Sequence, residues 1–181
     1  MSDMNNIKIL ITGIEAIDKS IIAKRLVEID DSLTIIPHFT SNIDMKDNIS
    51  EFEYFLDNHT IHLAYKNNSI MTVYTNNYTS NGITIDDFYN NDICYMTIEQ
   101  FNLISDKFIN ENNILVIWLD ESNNHKISKD EIAEINYMQE RLNNMKYLYF
   151  LNDSHKKICS VILEYLNSDE DRQQQLLEEY S

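Results

Sequence analysis

The sequence predicts an α/β domain, with a mostly parallel sheet flanked by helices. Short apolar runs of strand length alternate with longer stretches of helical periodicity, and strands so separated need crossover connections, which pair them in parallel. The run Ile114-Leu115-Val116-Ile117-Trp118-Leu119 is apolar at every position, as expected of a strand buried on both faces. A chain of 181 residues with 43% hydrophobic and 24% charged side chains is of a size and composition to build one globular core.

Taken in order, Ile7-Lys8-Ile9-Leu10-Ile11 reads as the first strand, and residues 20–30 follow as a helix through Ile22, Leu26 and Ile29. Thr34-Ile35-Ile36-Pro37 reads as a second strand, and residues 49–56 as a short helix with Phe52, Phe55 and Leu56 on one face. Ile70-Met71-Thr72-Val73-Tyr74 is a third strand, followed by a polar segment through Tyr78 and Gly82. A short helix over 84–89 and the apolar Ile93-Cys94-Tyr95-Met96 lead to a helix over 97–109 through Phe101, Ile104 and Phe108. The strand 114–119 precedes a helix over 130–145 through Ile132, Ile135, Met138 and Leu142, a strand over 147–151 and a helix over 154–166. Residues 1–166 thus form a single domain. The acidic, Gln-rich residues 167–181 form a C-terminal tail, read as a frayed helix or disordered, with a solvated face.

Composition removes several function classes. Two Gly and one Pro exclude collagen, flexible linkers and multi-glycine loops. Thirty acidic against fourteen basic side chains give a net charge of −16, whose field repels nucleic acid, anionic membrane and free nucleotide and favours a basic or neutral partner. No apolar run approaches the roughly 20 residues that span a bilayer, and Met1-Ser2-Asp3-Met4-Asn5-Asn6 has neither a basic region nor a cleavage-like site, so a soluble cytoplasmic protein is expected. Cys94 and Cys159 lie far apart and read as two buried thiols. The 23 Asn and 27 Ile suggest an AT-rich coding genome, viral or otherwise, and carry no chemistry.

The first strand runs into Gly13-Ile14-Glu15-Ala16-Ile17-Asp18-Lys19-Ser20. This matches the phosphate-loop pattern of Gly, four residues, Gly, Lys and Ser or Thr, except that Asp18 replaces the second Gly. Such a loop cradles phosphate in backbone N–H groups at a helix N-terminus, with the lysine on the outer phosphates and the hydroxyl on magnesium. The Asp18 carboxylate would sit beside the phosphate path and compete for Lys19. A plain strand-to-helix turn is the alternative.

From these residues the chain resembles the phosphate-loop nucleoside monophosphate kinases, thymidylate kinases first and guanylate kinases second. The thymidylate kinase opening, Glu-Gly-x-Asp-x-x-Gly-Lys-Ser/Thr, corresponds to residues 12–20. Its Phe-Pro-x-Arg resembles Ile36-Pro37-His38-Phe39, its Asp-Arg-Tyr resembles Asn76-Asn77-Tyr78, and its strand ending in Leu-Asp resembles residues 112–120. The likeness spans residues 7–166 and rests on order and spacing. It implies a kinase fold, an ATP site at Gly13, Asp18, Lys19 and Ser20, and a substrate-pocket remnant at Phe39, His59, Asn76, Asn77 and Tyr78.

The departures bear on activity. Phosphoryl transfer needs concentrated positive charge. Yet the family's arginines correspond here to Phe39, His59 and Asn77, and the lid equivalent, residues 121–129, has none. Arg25, Arg141 and Arg172 are the only arginines, and none falls at a phosphate clamp of the family. Other constellations carry less. His59 and His62 could share a helix face, but no third metal ligand accompanies them. Asp120 has the look of a magnesium-linked carboxylate, although acidic residues commonly end strands for solubility. Glu15 stands where the family has a functional Asp. Asp86-Asp87 and Asp30-Asp31 fit a helix start and a helix exit. Tyr54, Tyr74 and Tyr78 could line an ancestral base pocket or fill the core.

The expectation is therefore a degenerate thymidylate-kinase-like protein without catalytic residues, metal or cofactor, acting as a protein-binding or regulatory module and pairing as a homodimer. A working nucleoside monophosphate kinase using ATP and magnesium, and an acidic interaction or decoy protein, are the alternatives.

Overall fold

The computed structural model describes residues 7–14, 18–46, 50–76, 78–120 and 128–181. Its centre is a four-stranded, wholly parallel sheet in the order β6-β1-β7-β8, from β1 (Lys8–Gly13), β6 (Ile93–Tyr95), β7 (Ile114–Asp120) and β8 (Lys146–Leu151). The α/β reading holds. The two central strands, β1 and β7, are buried along their whole length. Side chains alternate between two apolar clusters. Ile9, Ile11, Leu115, Ile117 and Leu119 pack on α1 (Lys19–Ile29) and α7 (His155–Asn167), whereas Leu10, Val116 and Trp118 face α4 (Ile98–Asn102) and α6 (Lys129–Leu142). Each fully buried Ile or Leu contributes about 1.5–3 kcal/mol by leaving water.

A second four-stranded sheet, absent from the sequence reading, stands beside the first in the order β3-β2-β5-β4. It comprises β2 (His38–Thr40), β3 (Glu53–Phe55), β4 (Ile70–Asn76) and β5 (Thr79–Thr84), and only β2 and β3 pair in parallel. The polar segment through Tyr78 and Gly82 is strand β5, the return arm of a hairpin whose tip residue Tyr78 has φ 73°. Between them, α2 (Asn58–Lys66) joins β3 to β4 and α3 (Ile85–Asn90) leads back to β6.

Four expectations change locally. The strand expected at Thr34-Ile35-Ile36-Pro37 is reduced to one parallel bridge from Ile35 to Ile93; the ladder starts after Pro37, which has no N–H to donate. The helix expected over 49–56 is instead strand β3, because Glu53, Tyr54 and Phe55 pair with β2 and sit half-buried on alternating faces. The helix expected over 97–109 splits into α4 and α5 (Asp106–Glu111), since the Ser105 side chain accepts from the Phe108 N–H and starts a new helix. The acidic tail is ordered: α8 (Glu170–Glu179) buries Leu176, stacks Tyr180 on Phe150 with centroids 5.3 Å apart, and accepts the Tyr149 N–H on the Tyr180 carbonyl at 2.6 Å.

Both glycines sit under a neighbouring strand. A Cβ at Gly13 would strike the Leu119 carbonyl, and one at Gly82 the Thr72 carbonyl and the Phe39 ring. Elsewhere Asn takes the left-handed positions, at Asn68, Asn113 and Asn152 with φ of 54°, 48° and 52°. Asp30 closes α1, and Asp86 and Asp87 lie in the first turn of α3, as the sequence suggests.

Candidate phosphate-loop site

The loop leaves β1 at Gly13, whose φ of 150° and apposition to Leu119 demand glycine, and the Ile14 N–H donates to the Leu119 carbonyl at 3.2 Å. Glu15 lies outside the described residues. Asp18 is the N-cap of α1. Its carboxylate accepts the Ser20 N–H at 3.1 Å and the Ser20 hydroxyl at 2.6 Å, and these hydrogen bonds hold it below the usual carboxylate range, assisted by Lys24. Lys19 is buried and donates to the Ile14 carbonyl at 3.0 Å. Asp18 therefore engages the two groups, a helix N-terminal N–H and a hydroxyl, that a phosphate and its magnesium would need.

Two of the three arginines are held elsewhere. Arg141 is buried beneath α4: Nη1 donates to the Phe101 carbonyl at 3.0 Å, Nη2 to the Ile104 carbonyl and Nε to Asp106 at 2.7 Å, while the guanidinium stacks on Phe101. It satisfies one carbonyl in the last turn of α4 and one just beyond it. Arg172 pairs with Glu164 at 2.6 Å, and Arg25 is exposed on α1.

The expected substrate-pocket residues are dispersed. Phe39 is fully buried under Gly82. His59 is exposed on α2, Asn76 is exposed near the hairpin tip, Tyr78 is 96% exposed and Asn77 lies outside the described residues. Among the described ones, only Tyr78 lines the open cavity of about 450 Å³ on the mixed sheet, with Asp44, Phe55 and Asp57. Tyr54 donates to Asp87 at 2.5 Å, and burial raises its hydroxyl, with Asp87 adding to the shift. Tyr74 is 37% exposed. His62 is exposed as well, and no three His, Cys, Asp or Glu among the described residues converge on a metal. Asp120 closes β7 and accepts the Tyr149 hydroxyl at 2.9 Å. Burial first, then Asp120, pushes that phenol up to about 12.

Two features escape sequence reasoning. At the seam of the sheets, His38 stacks on Tyr95 with centroids 4.7 Å apart and leaves Nε2 buried without a partner. Burial pushes its imidazole down to about 4 against the opposing pull of Glu53 and Asp87. The other is a cleft beside Gly13, closed by Thr97, Ile98 and Glu99 at the start of α4 and by Glu131 and Glu134 on α6. Glu99 and Glu131 lie in the first turns of their helices, where acidic residues are common and carry no signal of a cleft.

No protein-family model matches the chain and no curated protein matches it. Among solved structures, the crystal structure of guanylate kinase from Anaplasma phagocytophilum superposes with a TM-score of 0.56 over 96% of this chain and 94% of that one, at 15% sequence identity. The fold is that of a phosphate-loop nucleoside monophosphate kinase. Within this kinase fold, no described helix is long and apolar enough to cross a membrane.

Proposed function

We propose that this protein retains the nucleoside monophosphate kinase fold without its reaction and serves as a protein-binding or regulatory module. One observation carries the reading: the Asp18 carboxylate caps α1 through the N–H and hydroxyl of Ser20, in place of a nucleotide phosphate. A phosphate entering the loop must displace that carboxylate and lie beside it, and each charge-assisted hydrogen bond it fails to gain costs about 1.5–3 kcal/mol. Arg141 and Arg172, held by other partners, offer no compensating clamp. The likeness to a guanylate kinase over 96% of the chain supports retention of the kinase fold. Exposed Ile43, Leu63 and Tyr65 around the mixed sheet supply apolar surface for a protein contact, a second copy of the chain included.

Calorimetric titration with magnesium ATP tests the reading. The wild-type protein shows no micromolar binding and no turnover of GMP or dTMP; Asp18→Gly gains measurable ATP binding while turnover stays absent. Micromolar ATP affinity with phosphorylation of any nucleoside monophosphate by the wild-type protein replaces the proposal with an active kinase.

A further inference from the structure

We infer that the free edge of β4 pairs with β4 of a second copy of the chain, antiparallel across a twofold axis, joining two mixed sheets into one. The inference rests on the protein-binding reading and names its partner. β4 stands last in the order β3-β2-β5-β4, so one side of its backbone has no strand beside it. Such an edge templates the addition of another chain, and proteins blunt it with short strands, charge, proline or a cover.

The other ends of the two sheets carry such a device. β3 is three residues long and opens on Glu53. β6, equally short, is covered by the segment before β2, where the Ile36 N–H donates to the Ile93 carbonyl at 2.7 Å. On β8, the tail takes up the Tyr149 N–H through the Tyr180 carbonyl. β4 has seven residues, none of them charged or proline, inside a stretch, residues 67–85, that holds neither. Its first half lies under α4, where Thr72 is buried and donates to the Gln100 carbonyl at 2.9 Å; Tyr74, Thr75 and Asn76 are exposed.

The register shows which backbone groups face outward. Asn76 and Thr79 close a two-residue turn and exchange ladder hydrogen bonds, as Tyr74 and Asn81 do two residues on. Thr75 opposite Ser80 and Val73 opposite Gly82 are then the closer, non-hydrogen-bonded pairs, and the Thr75 and Ser80 hydroxyls meet at 3.0 Å. Val73 and Thr75 therefore turn their N–H and C=O to the free edge. Among the described residues, no turn, loop or cap hydrogen bond reaches either backbone. An antiparallel copy centred on Tyr74 sets Val73 against the partner's Thr75 and Tyr74 against the partner's Tyr74, a self-complementary arrangement that includes a cross-strand aromatic pair.

Charge selects the occupant. Each copy carries −16, so two copies approach best where neither presents a carboxylate, and this strand is such a surface. A basic partner would be drawn to the acidic remainder of the molecule and would gain no ion pair from an uncharged strand. The pairing spans only the exposed half of β4, less than a standard interface of about 1,600 Å², so the dimer is weak and concentration-dependent.

Sedimentation of the full chain from micromolar to millimolar concentration is expected to show a monomer-dimer equilibrium that tightens as salt screens the net charge. Thr75→Pro removes one outward N–H per copy while sparing the β5 ladder, and weakens the dimer about tenfold or more. Tyr74→Lys and Tyr74→Glu each weaken self-association by about fivefold, whereas an equal mixture of the two regains it as a heterodimer. This pair of variants decides the matter if the proline variant misfolds. A monomer at every concentration, a dimer that salt dissolves, or unchanged affinity in the Thr75 and Tyr74 variants overturns the proposal. The two readings fail separately: turnover of a nucleoside monophosphate overturns the loss of the reaction whatever the oligomeric state, whereas a persistent monomer overturns only the β4 pairing.

Discussion

The two sheets solve the same packing problem with different resources. In the parallel sheet, β1 and β7 lie between two helical layers and bury every residue. In the mixed sheet, no residue of β3 is fully buried, and β4 ends in the exposed Tyr74, Thr75 and Asn76. A strand covered on both faces has to be continuously apolar, whereas a strand covered on one face, or serving as a sheet edge, can be written in Thr, Ser and Asn. Apolar runs therefore report burial on both faces and say little about strands as such. Each sheet also holds one of the two glycines at its tightest strand contact, so close backbone approach is the shared constraint where side-chain chemistry is not.

The largest expected effect tests that contrast directly. Leu115→Ala, in the centre of the parallel sheet, should cost about 2–5 kcal/mol in urea unfolding, whereas Tyr74→Ala on the edge of the mixed sheet should cost no more than about 1 kcal/mol. Equal losses would break the comparison.

His38, on β2 and stacked against β6, tests the seam between the sheets. Its folded-state value is depressed from the usual 6.5 to about 4, so the unfolded chain accepts a proton that the folded chain refuses. Stability is full above the unfolded value and falls as pH drops through that window, by up to about 3 kcal/mol. Denaturant midpoints measured across the window should show the slope in the wild-type protein and a flatter one in His38→Leu. An unchanged slope in that variant would mean that other groups carry the acid sensitivity.

The smallest effect concerns the loop that follows the parallel sheet. Asp18→Ala removes the N-cap of α1 and should lower thermal stability by about 1 kcal/mol, with Asp18→Asn restoring most of it. A loss well above that figure would mean that Asp18 holds more than the helix end.

The path from residues 7–14 into α1 was readable because each cue is local: an apolar strand, a glycine and helical periodicity follow one another along the chain. The same locality located β7, β8, α6 and α7. Strand β3 was misread because Phe52, Phe55 and Leu56 also suit a helix face, and only pairing with β2 decides between the two periods. The tail was misread because its single buried anchor, Leu176, is outnumbered by charge, and its docking depends on Phe150 and Tyr149.

The strand-helix alternation of the central layer, the parallel character of its sheet, the altered phosphate loop and the shortage of arginine belong to the sequence by itself, since each is a property of neighbouring residues or of composition. The tertiary structure decided what Asp18 bonds to, where Arg141 is spent, how His38 meets Tyr95, and that Glu99 and Glu131 close one cleft. Those pairs are joined through packed helices and strand crossovers, and the energy that brings them together comes mainly from burying side chains other than their own.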